Sequence, residues 1–442
     1  MIENPEDNRQ DASATSSYSS LGNQSSAATV AEKGSSSSFL LRFYPSLANP
    51  HFRLFWLGML PSTLAFQMNV VAGPYLAFSL AGNATILGLV SLAIGLPMMT
   101  LSLVGGVAAD RFPRRRVLIC TQLALFIVAA MLAALSLSNS LQVWHLLVLS
   151  FLQGCAFAFN MPARQAYIAE IVGHSLLRSA VTLNNAGLNF TRVVGPAMAG
   201  ILIATPFVGI GGVFTVMTGM YALVLASLFR LPSAPAPARR RSMGGWEQLM
   251  EGIRYVRSTP VIMALLGMGF IATFLGMPYQ TLMAVFAERV FDAGPGGLGA
   301  LTTSIGIGAF AGSLVVASLS RLSRPAMLQL GFGVGFGLAL VAFALSPSLH
   351  LAMACLVAVG FLSAAYAAIN NTLIMSNTPP NLYGRVMSIY LITFGSTPLG
   401  ALPLAWLADH AGAPLAVVLS GSLVAVAVAA IALRYPAYRR IK

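Results

Sequence analysis

The residues able to do chemistry in this chain are few, and most of them gather in two short stretches and around one isolated arginine. The first stretch is GGVAADRFPRRRVL, residues 105–118. Asp110 and Arg111 stand where one apolar run ends, and Arg114, Arg115 and Arg116 stand before the next begins. An acid at such an edge can accept hydrogen bonds from a nearby helix N-terminus or an arginine. Made in one conformation and broken in another, that contact is a conformational latch; the alternative is a solvated acid in a plain topology signal. Gly106, beside Gly105, lets the helix end approach a neighbour closely. The second stretch is FNMPARQAYIAEIV, residues 159–172. Asn160 lies inside the end of an apolar run, Pro162 can end or kink the helix, and Arg164 and Glu170 leave the membrane face. Arg164 is the expected partner of Asp110 or Glu170, in a charge cluster at one membrane surface. Arg178 opens the next run.

Arg192 sits about midway along an apolar run, in TLNNAGLNFTRVVGPAMAG. A charge at the bilayer centre costs roughly 3 kcal/mol on insertion scales, so it should face the interior of a helix bundle. Asn185, Asn189 and Arg192 are spaced four and three apart and share one helix face. Three roles stay open for Arg192: a structural anchor, a contact to substrate or anion, and a coupler of conformational change. Gly195, Pro196 and Gly200 follow. Proline removes one helix hydrogen bond and glycine permits a tight crossing; a bend and close packing against a helix of the opposite half are expected there. Gln67, Asn69, Gln153, Asn160, Gln280, Tyr366 and Asn370 are further candidate cavity groups, each equally able to be an ordinary interhelix contact. Met277 and Tyr279 would add soft or aromatic surface. Together they describe a mixed, mostly apolar cavity, which suits an amphipathic ligand better than a small sugar.

Membrane-spanning helices must carry these groups. Of 442 residues, 57% are hydrophobic and 8% charged, whereas a soluble domain carries about 25% charged residues. Soluble enzymes, secreted disulfide scaffolds and fibrous proteins are thereby set aside. The net charge of +13 does not point to nucleic acid, because the basic residues lie mostly between long apolar runs. A span needs roughly 20 apolar residues. About twelve such runs follow one another, near 53–78, 84–109, 117–138, 141–163, 177–203, 207–230, 259–285, 297–320, 326–346, 349–373, 384–408 and 413–434. Arginines crowd alternate connections: Arg111 to Arg116, Arg239 to Arg257, Arg321 and Arg324, and the tail from Arg434 to Lys442. The other connections hold Arg289 among Glu288, Asp292 and Asp409. The positive-inside rule then puts both termini in the cytoplasm of a cell (inner, cytoplasmic) membrane protein.

The chain divides accordingly. Residues 1–50 read as a Ser-rich, disordered cytoplasmic tail and lead-in, with no signal peptide. Residues 51–230 form a first set of six spans and 259–434 a second, followed by a cytoplasmic tail at 435–442. Between them, 231–258 is a linker that begins Pro-, Ala- and Arg-rich and turns amphipathic in WEQLMEGIRYVRSTP. It reads as an interfacial helix whose arginines face anionic lipid headgroups. A weak repeat relates the halves: Asn160 then Arg178, and Asn370 then Arg385, each followed by a proline–glycine feature. Duplicated halves with a site between them are a common plan for membrane carriers.

No nucleotide-binding motif is present, so an ion gradient is the expected energy source, a proton before sodium. No Asp or Glu falls mid-span; Asp110, Glu170, Glu288 and Asp409 all stand at membrane edges, and His145 near the end of a run. Cys120, Cys155 and Cys355 have no paired spacing and read as packing residues. No metal, cofactor or catalytic residue is expected.

GGVAADRFPRRR resembles the signature between the second and third spans of the major facilitator superfamily, with Pro113 where that pattern has glycine. PARQAYIAEIV, RVVGPAMAG and NLYGRVMSIYLITFGSTPLGALPLAWLADHAG are similar to the group that holds macrolide efflux proteins and the enterobactin exporter. The resemblance covers most of residues 50–434. It implies an all-α polytopic membrane protein of twelve transmembrane helices in two pseudo-symmetric six-helix bundles. It also implies alternating access, export of an amphipathic drug, macrolide-like compound or siderophore, and function as a monomer. Asp110 and Arg111 would belong to the cytoplasmic latch, with the span that starts near Arg385 as neighbour. Import of a nutrient or metabolite is the alternative within the superfamily, and a non-transporting receptor or assembly factor the alternative outside it.

Overall fold

Apolar runs of this length satisfy their backbone groups in lipid only by closing them into helices. The computed structural model of the chain describes residues 45–231, 245–318, 324–379, 382–435 and 438. Most of the tail expected over 1–50, Arg239 to Arg241 of the linker, Arg321, Arg439, Arg440, Lys442 and the Asp110 side chain lie outside the described residues.

The helices are α1 (Pro50–Ala81), α2 (Thr85–Arg111), α3 (Arg114–Leu137), α4 (Val143–Gly173), α5 (Leu176–Ala204), α6 (Gly209–Phe229) and α7 (Gly245–Ser258). They continue with α8 (Pro260–Val290), α9 (Gly294–Ser318), α10 (Pro325–Ala344), α11 (Leu349–Ser376), α12 (Tyr383–Phe394), α13 (Thr397–Ala411) and α14 (Ala413–Arg434). Among the described residues, eleven of these are long and apolar enough to cross a membrane: α1 to α6, α8 to α11, and α14. The run expected at 384–408 is present as two shorter helices, α12 and α13. The amphipathic linker stretch is helix α7, with Pro260 opening α8 directly after it.

Local chemistry sets the ends. Asn49 caps α1, its Oδ1 accepting from the amides of His51 at 3.0 Å and Phe52 at 3.2 Å, and Pro50 fits the first helical turn. Gly82 closes α1 at φ 68°. Gly173, at φ 66° and ψ −179°, separates α4 from α5, in a conformation open to glycine but not to side-chain-bearing residues. The backbone stays helical through Pro196, where the sequence suggested a bend.

Two elements are irregular. In α8 the regular helix ends at Ile271; a π turn (Ala272–Gly276), a 3₁₀ segment (Met277–Leu282) and a second π turn (Phe286–Val290) follow. Pro278 has no N–H to give to the Phe274 carbonyl and would clash with it in a regular helix. That carbonyl instead faces Gly400 of α13, where an added Cβ would come within 2.0 Å. The gap between α12 and α13 packs beside this stretch: the Thr273 hydroxyl donates to the Thr393 carbonyl at 2.9 Å and lies 3.3 Å from Ser396 Oγ.

The two halves pack alike. α2 crosses α4 with backbones touching at Gly105 and Gly154, and α9 crosses α11 likewise at Gly308, Gly312 and Gly360. α3 packs on α6, and α10 on α14. Buried apolar side chains such as Phe157, Phe214, Phe336 and Phe343 fill the interiors.

Candidate functional site

The halves meet along two helix pairs, α5 on α9 and α2 on α13. A Cβ at Gly200 would fall 2.7 Å from the Gly299 Cα, and one at Gly306 2.8 Å from the Arg192 carbonyl. On the second pair, Gly88 meets Leu402 and Gly95 meets Pro398. Gly195, expected against the opposite half, instead crosses α1 of its own half, where an added Cβ would lie 2.5 Å from the Gln67 Cβ. The tight contacts of α5 with the other half are made on either side of it, at Arg192 and at Gly200.

Arg192 stands at the inner limit of this packing, near the middle of α5. Its side chain is exposed, as is Asn185, and Asn189 is half-buried. Arg192 lies close enough to the phenol of Tyr279, on α8 of the opposite half, for the two to interact electrostatically. Tyr279 itself is buried, and Gln280 beside it is exposed. Arg192 of α5 and Tyr279 in the 3₁₀ segment of α8 thus come near one another from opposite halves.

Other polar groups tie each half together from within. Asn69 donates to Gln153 at 3.2 Å, joining α1 to α4. Asn160 is buried and donates to the Thr121 hydroxyl at 2.8 Å, joining α4 to α3. In the second half Gln329 donates to the buried Asn370 at 2.7 Å, joining α10 to α11. The Tyr366 hydroxyl donates to the Met268 carbonyl at 2.9 Å. The repeat seen in sequence has a structural counterpart: Asn160 and Asn370 are each bonded to the helix that precedes their own, α3 and α10.

The end of the molecule near residues 112–114 carries the arginine cluster. Arg114, rather than Arg164, pairs with Glu170, at 2.9 Å. Arg164 is buried and donates to Asn184 at 2.8 Å. The reason is position: Arg114 opens α3 beside the last turns of α4, whereas Arg164 points into the α4–α5 contact. Arg115 donates to the carbonyls of Leu228 and Phe229, both at 2.8 Å, and so caps the C-terminus of α6. Arg385, at the start of α12, pairs with Glu251 of α7. Arg111 and Arg178 are exposed, and Gly106 has open space where a side chain would stand. Each paired charge at this end is held by its own half or by the linker helix.

At the other end the pairing crosses. Asp409 of α13 accepts from the amides of Ala84 at 2.6 Å and Thr85 at 2.7 Å, and from the Thr85 hydroxyl at 2.5 Å. The N-terminus of α2 has alanine as its own cap residue. A carboxylate from the opposite half therefore satisfies its orphan amides and complements its dipole. Arg289, at the end of α8, donates to the Gly82 carbonyl and stands 5.0 Å from the centre of the Phe78 ring. In sequence these residues show only as the sparse charges of alternate connections. The one local hint is the absence of a capping side chain at Ala84, and the partner is 325 positions away.

Together with the family match and curated relatives that follow, this all-helical, multi-pass architecture makes the protein a secondary-active carrier of a small molecule and not an enzyme. The chain belongs to the transmembrane secretion effector family of the major facilitator superfamily, whose model matches residues 42–440. Among curated proteins it is 30% identical over 360 residues to the multidrug efflux pump Tap of Mycolicibacterium fortuitum, covering 78% of this chain and 86% of that one. It is 26% identical over 355 residues to the enterobactin exporter EntS of Shigella boydii serotype 4 (strain Sb227), covering 80% and 84%. Among solved structures it resembles a bacterial homologue of the human lysosomal transporter Spinster in an inward-facing, unoccupied conformation. The TM-score is 0.71 at 14% identity, over 90% of this chain and 99% of that one. The nucleoside transporter NupG gives 0.69 at 11% identity, over 89% and 100%.

Proposed function

We propose that this protein exports an amphipathic small molecule, a drug, macrolide-like compound or siderophore, by alternating access. Twelve spans form two six-helix halves, residues 51–230 and 259–434, joined by 231–258, with α12 and α13 together making the eleventh span. Both termini face the cytoplasm of an inner-membrane protein, in keeping with the arginines at the 112–114 end. The observation that carries the reading is the placement of the contacts between halves. Asp409, Arg289 and the glycine crossings join the halves from one end down to Arg192, and the paired charges of the other end stay within their halves. This is the arrangement of a carrier closed to the outside, with its central strip reached from the cytoplasm.

In this reading Arg192, Asn189, Asn185, Gln67 and Gln280 meet the substrate, and Asn69, Gln153, Asn160, Tyr366 and Asn370 hold the walls of each half. Asp110, Arg111, Arg115, Arg164, Glu170, Arg178 and Arg385 belong to the cytoplasmic door, which latches when the outer contacts part. A proton gradient drives the cycle, and the carrier works as a monomer. Names of relatives support export over import: both curated relatives above are an efflux pump and an exporter. Purified protein in proteoliposomes, offered a macrolide and a catecholate siderophore with pH and sodium gradients imposed separately, tests the proposal. Transport driven by the pH gradient supports it; loss of uptake by cells lacking the protein, without accumulation of any compound, would reverse the direction.

A further inference from the structure

The charge inventory of the spans says more about the substrate than its amphipathic character does. The chain has 12 acidic residues. Five precede residue 45, and the other seven stand in α7 or at the helix ends, with Glu288, Asp292 and Asp409 at the end where the halves are packed. None lies between the ends. The basic inventory differs by two residues: Arg164, buried nine residues before the end of α4, and Arg192, half-way along α5, on the face turned to the opposite half.

Its neighbours do not neutralise it. The ion pairs among the described residues are Arg114 with Glu170 and Arg385 with Glu251, both at the far end. The partner that reaches Arg192 is Tyr279, a phenol and not a carboxylate. Arg164 offers a contrast within the same half: it is buried and held by Asn184, whereas Arg192 is exposed with its donors directed at no described acceptor. A guanidinium keeps its charge in any such setting and presents donors in a planar fork that matches a carboxylate. Water at this depth is displaced when a ligand enters, and the charge then needs a counter-charge.

We infer that the transported molecule supplies it: the substrate is an anionic amphipath, whose carboxylate or acidic phenolate pairs with Arg192 and whose apolar body lies toward α8. This rests on the carrier reading of the same space. Cationic amphipaths are disfavoured, because no acid lies within the spans to receive them and Arg192 repels them.

The test uses one dye scaffold in three charge states: 7-diethylaminocoumarin-3-carboxylate, its neutral methylamide, and an amide bearing a trimethylammonium group. Binding to the full-length protein in detergent is read by fluorescence polarisation, and transport in proteoliposomes. The wild type is expected to bind the carboxylate about tenfold more tightly than the methylamide, and the cation most weakly. Arg192→Gln should bring the carboxylate-to-methylamide ratio close to one, Arg192→Lys should keep most of it, and Arg192→Glu should reverse the order toward the cation. A purely structural arginine would lower all three alike and leave the ratios in place. Equal binding of the three by the wild type, no binding of the carboxylate, or an unchanged ratio in Arg192→Gln overturns the inference. Selective binding without transport by the wild type would instead overturn the carrier reading and leave the anion site standing.

Discussion

The two ends of this molecule use charge in opposite ways. At the 112–114 end arginines are plentiful, yet Arg114 serves Glu170, Arg115 serves the last carbonyls of α6, and Arg385 serves Glu251. At the 82–85 end two charged residues suffice, and both reach across: Asp409 onto the start of α2, and Arg289 onto the end of α1. Charge density is therefore a poor guide to where the halves are joined. The crowded end stabilises each half as a unit, and the sparse end decides whether the units are together.

The strongest way to break this contrast is steric. Gly200→Leu places a side chain against the Gly299 backbone at a point where an added Cβ already falls within 2.7 Å. Overpacking of this kind costs about 1–3 kcal/mol, and here the whole strain falls on the closed state. Transport in proteoliposomes is expected to fall more than tenfold while the protein stays folded in the membrane.

Electrostatic disruption comes next. Asp409→Asn keeps the shape and removes the charge that assists three hydrogen bonds; such bonds are worth about 1.5–3 kcal/mol each. The closed state should lose about 2 kcal/mol overall, some 30-fold in population, measured as protection of an engineered cysteine at Ala405, which is buried against Gly88 at this contact. Arg289→Ala should act in the same direction and more weakly, by about 1 kcal/mol, since its side chain is exposed and screened.

The smallest effect sharpens the comparison from the other side. Exchanging Arg114 and Glu170 (Arg114→Glu with Glu170→Arg) should restore the thermal stability that either change alone lowers. In each variant, protection of Ala405→Cys should stay at the wild-type level. A shift in that protection would show that the arginine-rich end also controls the meeting of the halves in this conformation.

Much of the fold was legible in the sequence, because hydrocarbon thickness dictates run length and arginine placement marks alternate ends. The superfamily, the helix within the linker and the separation of α4 from α5 follow from such local signals. The eleventh run was legible as apolar; Gly395 and Pro398 beside Ser396 are breaker residues, but that the helix separates there, with Thr273 from far away in sequence helping to hold the gap, shows only in the structure. The polar residues were legible as a set, not by address. Asn160 and Asn370 look the same in sequence as Asn185 and Asn189, and only the neighbouring helix decides that the first two are walled in by Thr121 and Gln329. Arg164 and Arg192 show the same limit, one turned into a helix contact and one into the space between halves.

The central claim is that contacts at the 82–85 end hold together two halves that separate during transport. In a protein with Cys120, Cys155 and Cys355 replaced by serine, electron spin distances can be read between labels at Ser140 and Pro347, on the two halves at this end, and between labels at Arg230 and Met375 at the other. The account predicts that Asp409→Asn lengthens the first distance and shortens the second together. Two distances that stay at their wild-type values, or that lengthen together, would contradict it.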